Sequence, residues 1–437
     1  MTPIRLYSLV FFIMVSFEAG GTPPVFHVDA KDKTGVGIGT TLGKALKKQF
    51  PNIEKIYDNY LASFVDQDQF NEWVQKRVNV IKPNIKSAYR DEVNTIASTW
   101  VISSRDILGD GFLSLNEFWV IQLIPDIGLW TNGSGFGVWG HFSALNAPIV
   151  GINMDWYTTE ALRSLQAIMV YEYENQSVVN IGFAGYVGVV SGFNSEGLFV
   201  AHLDSPLGKR YPEPPIGDDA IVFDLRQVLE KKNRISAAAR DLSKQQYGFS
   251  HNILMADTQD VEVLEQSQGQ LAHLRNNTSN FHHNHNQRIE MSWEKANQIA
   301  VVNCFALRSS PANCINSVDS YRWHRFKTLA QFNSTDNQAV VLDVINIMFD
   351  TANPHQEIFN AYTVQSMVFT PKDKRLYLYT VPISGIQSTH PMMQEMANLL
   401  PTSQVSETWF KPINGLLVVA ILIFVGVLIY GEFYRFK

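Results

Sequence analysis

Three stretches between residues 130 and 198 decide the fold: Trp130-Thr-Asn-Gly-Ser-Gly-Phe-Gly-Val-Trp-Gly140, Pro148-Ile-Val-Gly-Ile-Asn-Met-Asp-Trp156 and Gly182-Phe-Ala-Gly-Tyr-Val-Gly-Val-Val-Ser-Gly-Phe-Asn-Ser-Glu-Gly-Leu198. Each is rich in glycine, β-branched and aromatic residues and short of charge. That texture belongs to buried strands joined by tight turns. Val178–Gly182 and Val187–Val190 read as short strands, and Asn194-Ser-Glu-Gly197 is a turn feeding Leu198–Leu203. Further along, Asn252–Asp257 with Val261–Leu264 reads as a hairpin. So does Val364–Phe369 with Leu376–Tyr379, across the turn Pro371-Lys-Asp-Lys374.

Outside this region the periodicity is helical. Lys44–Tyr60, Gln67–Val80 and Ile85–Thr99 carry apolar residues at three- and four-residue spacing, punctuated by Pro51 and Pro83. Helices recur at Phe223–Lys231, Ser320–Gln331 and Ala339–Phe349. Interleaved helices and hairpins predict an α+β fold with antiparallel sheet. No internal repeat is present.

The chain has 437 residues and a formal net charge of −6, with 46% hydrophobic and 17% charged residues. Such a composition excludes wholesale disorder, and the lack of a basic block argues against a nucleic-acid partner. Two cysteines exclude a disulfide scaffold and a cysteine-based zinc site. Cys304 and Cys314 are close enough for one local disulfide; the alternative is two free buried thiols.

The ends predict a compartment. Residues 1–21 have the form of a signal peptide: Arg5, the apolar run Leu6–Phe17, then small Ala19 and Gly21. Near the other end, Gly415–Tyr430 is uninterrupted by charge, and with its flanks approaches the ~20 residues that a spanning helix needs. Lys411 precedes it; Arg435 and Lys437 follow. The expectation is a single-pass type I membrane protein of the secretory pathway, lysosome or cell surface, its body lumenal or extracellular. Sequons at Asn132, Asn175, Asn276, Asn277 and Asn333 suit that compartment.

Two motifs imitate metal sites. Asp106–Glu117 follows an EF-hand loop at several positions, but Leu108 stands where an oxygen ligand is needed, so a turn at Gly109-Asp-Gly111 is the better reading. His282, His283 and His285 have no carboxylate or cysteine at ligand spacing and read as a polar loop. No cofactor and no metal site is expected. There is no Gly-x-Ser-x-Gly elbow, phosphate loop or His-Glu-x-x-His.

The 130–206 stretch resembles the linear-amide branch of the N-terminal-nucleophile (Ntn) hydrolases. That branch holds the penicillin acyl-coenzyme A acyltransferases, acid ceramidase, N-acylethanolamine acid amidase and the choloylglycine hydrolases. Gly151-Ile-Asn-Met-Asp-Trp156 resembles their Gly-Arg-Asn-x-Asp strand, and Gly192–Leu198 their Gly-Met-Asn-Glu-x-Gly-Leu hairpin. Ser250–Asp257, Val302-Asn-Cys-Phe305, Ser320-Tyr-Arg322 and Thr363-Val-Gln-Ser366 follow in the family's order, so the likeness covers about 85 to 385.

The resemblance implies a four-layer αββα sandwich whose nucleophile becomes residue one after self-cleavage and uses its own α-amine as base. It implies 22–132 as a helical pro-segment and 133–390 as the Ntn-like domain; the late apolar run and its flanks add 391–412 as a stalk, 413–434 as the transmembrane helix and 435–437 as a cytosolic tail. By the same resemblance Ser134, Asp155 and Asn303 are the catalytic candidates, and Asn153, Asp204 and Arg322 the substrate-binding ones.

The departures are chemical. Ungapped register puts Gly133, which has no nucleophilic atom, at the nucleophile position. Ile152 replaces an arginine. Asp204 replaces an oxyanion-stabilising asparagine, and a carboxylate there repels a developing oxyanion. A one-residue shift makes Gly133–Ser134 the cleavage site. The sequence thus predicts a membrane-anchored amidase or acyltransferase relative with impaired chemistry. The alternative is an active enzyme on a lipid or peptide N-acyl amide, using Ser134.

Overall fold

Thr131–Val138 alternates glycine with larger residues, and that alternation builds a sandwich. Gly133, Gly135 and Gly137 face a second sheet so closely that a Cβ on Gly135 would lie 2.7 Å from Leu254 Cδ2, and one on Gly137 2.5 Å from Val261 Cγ1. Ser134, Phe136 and Val138 point the other way, towards helices, where Phe136 stacks on Phe326 at 6.2 Å.

The computed structural model describes residues 22–129, 131–205, 217–267, 272–279, 293–306, 319–351, 356–385 and 391–400. Met1–Leu400 forms one unit and Pro401–Lys437 another. The second unit, with the expected span 413–434, lies outside the described residues, as do residues 1–21 and His282, His283 and His285. Among the described residues no helix is long and apolar enough to cross a membrane.

A six-stranded sheet runs in the order Gln298–Val301, Thr131–Val138, Ile149–Trp156, Thr363–Thr370, Arg375–Thr380, Gln394–Glu395. An eight-stranded sheet runs Val25–Asp29, Gln166–Glu172, Ser177–Phe183, Ser191–Asn194, Phe199–Asp204, His251–Ala256, Val261–Gln266, His273–Arg275. All neighbours pair antiparallel except the parallel edge strand Val25–Asp29. Between the sheets lies an apolar core that includes Val150, Ile152, Ile168, Val170, Leu254 and Phe369. Helices Gly35–Gln49, Ser87–Thr99 and Ile221–Lys231 cover the outer face of the larger sheet through Leu42, Val93 and Leu225. Asp319–Leu329 and Val341–Met348 cover the smaller through Phe326 and Val344. The layers are helix, sheet, sheet, helix, as the α+β reading requires.

Several boundaries differ from expectation. The first helix starts at Gly35, not Lys44, and ends before Pro51; a second runs Ile53–Ala62. Gly35, Gly39 and Gly43 form a stripe pressed against Ser87–Thr99, where a Cβ on Gly35 would meet Ala88 O at 1.9 Å. The region 22–132 is no separate body, since Val25–Asp29 is an edge strand of the larger sheet. Val187–Val190 is not a strand. Its backbone is satisfied by side chains and a helix instead, with Gln122 Oε1 accepting from Val187 N at 2.8 Å and Val222 O from Val189 N at 2.8 Å. The stalk's first residues pair with the smaller sheet through Gln394–Glu395.

Within Asp106–Glu117 the chain turns at Leu108–Gly111 before the short strand Leu113–Ser114 and the helix Leu115–Gln122. Asp58 accepts from Gly109 N and Gly111 N at 2.7 Å each, and both glycines take left-handed φ of +79° and +87°. Glu117 closes a capping box with Ser114 at the start of Leu115–Gln122. Cys304 is disulfide-bonded, and Cys314 is the only other cysteine in the chain.

Candidate active site

Asp155 is the penultimate residue of the strand Ile149–Trp156, opposite Asn132 in the register. It is buried, and three donors hold its carboxylate: Thr363 Oγ1 at 2.7 Å, Asn360 Nδ2 at 2.8 Å and Arg322 Nη1 at 3.0 Å. Burial pushes its pKa up, against the pull of Arg322 and the neutral donors. Arg322 stands in the first turn of Asp319–Leu329, where Asp319 grips the same guanidinium, so it keeps its proton.

Arg322 Nη2 also donates to Asn303 Oδ1 at 3.2 Å. That oxygen accepts from Gly133 N at 3.1 Å as well. Two donors fix the orientation of the amide, and Asn303 Nδ2 turns to the Asp204 carbonyl at 2.8 Å. Asp204 Oδ2 in turn accepts from Thr131 N at 3.1 Å. Asp155, Arg322, Asn303 and Asp204 are thus one hydrogen-bonded chain wrapped around Thr131–Gly133.

Ser134 and Asn153 form a different arrangement. Both are fully buried, opposite one another in adjacent strands. Asn153 Nδ2 donates to Met348 O at 2.8 Å and Ile358 O at 2.9 Å, while its Oδ1 accepts from Ser366 Oγ at 2.5 Å. Ser134 Oγ reaches Ile358 O at 3.4 Å. These residues clasp Met348 and Ile358 to the sheet.

A cavity of about 570 Å³ opens at the end of the strand pair where Asn132 meets Asp155. Tyr60, Phe64, Trp73, Ile124, Leu129, Trp156, Tyr157 and Tyr362 line it, with Gln69 and Gly128. Neither Gly133 nor Ser134 is in its wall. Trp156 Nε1 donates to Tyr60 OH at 2.7 Å, which fixes two aromatic walls. Asn132 Oδ1 is buried there without a hydrogen-bond partner.

The site holds residues that the sequence reading passed over. Asn360, Thr363 and Asp319 complete the charge network, and Asn132 shares the cavity's polar corner. His202 and His251 stand beside Asp204, and their signal was available: His202 and Asp204 are two apart on one strand and must share a face. Burial depresses both imidazoles to about 3.

No family model matches the chain, and no curated protein sequence does. Solved structures do. The chain is similar to a Caenorhabditis elegans N-acylethanolamine-hydrolyzing acid amidase ortholog at 15% identity, covering 55% of this chain and 93% of that one, with a TM-score of 0.39. It is similar to a penicillin V acylase from Agrobacterium tumefaciens at 15% identity, covering 56% and 82%, with a TM-score of 0.35. A conjugated bile acid hydrolase variant from Clostridium perfringens matches at 13% identity, covering 60% and 96%, with a TM-score of 0.35.

Proposed function

We propose that this protein is a membrane-anchored, lumenal or extracellular relative of the linear-amide Ntn amidases and acyltransferases, catalytically impaired and kept for binding an apolar N-acyl compound. The observation that carries it is the cavity's polar corner, made of Asn132 and Asp155, with no serine, threonine or cysteine among the described residues of its wall. Acyl transfer by an N-terminal residue needs a nucleophile whose α-amine is free and beside the orienting carboxylate. Ser134 lies opposite Asn153 rather than Asp155, and its hydroxyl faces the helical layer. Asn303 gives an amide hydrogen to Asp204 O, so that hydrogen is not aimed at an oxyanion.

The aromatic walls suit a hydrocarbon chain or ring system, and Asp155 with its donors suits the amide end. The signal-like 1–21 segment, the apolar 415–430 run and the exposed sequon at Asn175 support the lumenal placement. Titration of detergent-purified full-length protein with long-chain N-acyl amides tests the function. Trp73 and Trp156 line the cavity, so binding should quench their fluorescence with no hydrolysis product by mass spectrometry. Product that disappears in Ser134→Ala would favour the active enzyme instead.

A further inference from the structure

The larger sheet carries a second cluster. His202 and Asp204 share a face of Phe199–Asp204, and His251 opens the neighbouring strand directly opposite Asp204. His202 Nε2 lies 2.8 Å from His251 Nδ1. Asp204 Oδ1 lies 3.8 Å from the first and 3.5 Å from the second. Both imidazoles are completely buried, and the Tyr247 ring closes over His251 at 5.5 Å.

Three features set this apart from an ordinary buried polar contact. Three atoms with those separations lie on a circle of radius about 2.0 Å, so one point in their plane is a zinc–nitrogen bond length from each. All three inward atoms are Lewis bases, and the short imidazole contact has room for a single proton. The carboxylate is too far from either nitrogen for a hydrogen bond. A cation at the common point is within bonding distance of all three atoms where they stand. The other oxygen of Asp204 is already held by Thr131 N, which orients the carboxylate.

We propose that His202, Asp204 and His251 bind one divalent transition-metal ion of the zinc class through two imidazole nitrogens and one carboxylate oxygen. Three protein ligands leave a fourth position on the ion. Because Thr131 N rests on the same carboxylate, the ion ties the larger sheet to the first residue of Thr131–Val138 in the smaller one.

The test uses full-length protein stripped with a chelator, then titrated with zinc against a chromophoric competitor. We expect one zinc per chain and a rise in melting temperature on loading. Asp204→Asn, which is nearly isosteric, and His251→Gln should each weaken zinc at least about 100-fold, more than loss of an outer-shell partner does. A His282→Asn, His283→Asn, His285→Asn triple variant should bind zinc as the parent does. Cobalt in place of zinc gives an independent readout, since its visible absorption should change in Asp204→Asn. Absence of stoichiometric zinc in the parent overturns the proposal. So does zinc affinity or a cobalt spectrum unchanged in Asp204→Asn, and so does zinc lost from the histidine-tract variant alone.

Discussion

Installing the missing thiol at Gly133 should damage the protein without giving it a nucleophile. A Cβ at this position would lie 2.7 Å from Asn153 O and 3.3 Å from Leu203 Cδ2. The first contact is backbone of the adjacent strand, so relief requires a shift of several tenths of an ångström within a hydrogen-bonded ladder. Overpacking of this kind costs about 1–3 kcal/mol. For a unit of this size the unfolding entropy is roughly 0.8 kcal/mol per kelvin, from ~2.1 cal/mol/K per residue, so Gly133→Cys should melt about 1–4 °C lower. Gly182→Ala is the control, because a Cβ there meets nothing within 4 Å and the melting point should hold or rise. Differential scanning fluorimetry reads both, and a denaturing gel reads cleavage. A Gly133→Cys protein that melts with the parent and cuts itself before residue 133 would refute the steric argument and the placement of the site.

Other outcomes follow from the same contacts. Asn153→Ala removes two donated hydrogen bonds and strands the Ser366 hydroxyl, so urea unfolding should show a loss of about 3–5 kcal/mol, whereas a substrate-binding role would change ligand affinity and spare stability. Glu117 is raised to about 7, by burial first and then by Asp58, Asp106 and Asp110. Its native carboxyl therefore keeps a proton that the unfolded chain has lost between about pH 4.5 and 7, and stability falls as pH rises through that window, by at most about 3 kcal/mol. Glu117→Gln keeps the cap and should flatten that slope in melts taken at pH 5 and 7; an unaltered slope would contradict the assignment. Asn175 is exposed in a turn between strands while Asn132 lines the cavity, so glycopeptide mapping should find a glycan on Asn175 and none on Asn132.

The sequence disclosed what depends on local pattern. Hairpins at 251–266 and 363–380 announced themselves through β-branched runs and turn residues, and they pair as expected. Ordered motifs that no periodicity argument would join put Asp155 and Asn303 with Gly133 and Ser134; in the fold Asn303 Oδ1 accepts from Gly133 N, while Asp155 stands opposite Asn132 and Ser134 opposite Asn153. What stayed hidden depends on contacts across the chain. Gly35, Gly39 and Gly43 weaken a helical signal locally and make sense only against Ser87–Thr99. Val25–Asp29 is a strand because Gln166–Glu172 offers it an edge, more than a hundred residues away. Ser134 reads as a candidate nucleophile beside Gly133, yet strand alternation turns its hydroxyl to the helical layer, and which face meets the cavity is a tertiary fact. The His202–Asp204–His251 cluster needs the strand pairing that sets His251 opposite Asp204.

Intact mass of the mature protein, released from glycans and run reduced and denatured, tests the central claim most directly. A chain without a competent N-terminal nucleophile stays one polypeptide from its first mature residue through Thr131–Val138 to its end. Two polypeptides with a junction at Gly133–Ser134, together with N-acyl amide hydrolysis that Ser134→Ala abolishes, would contradict it.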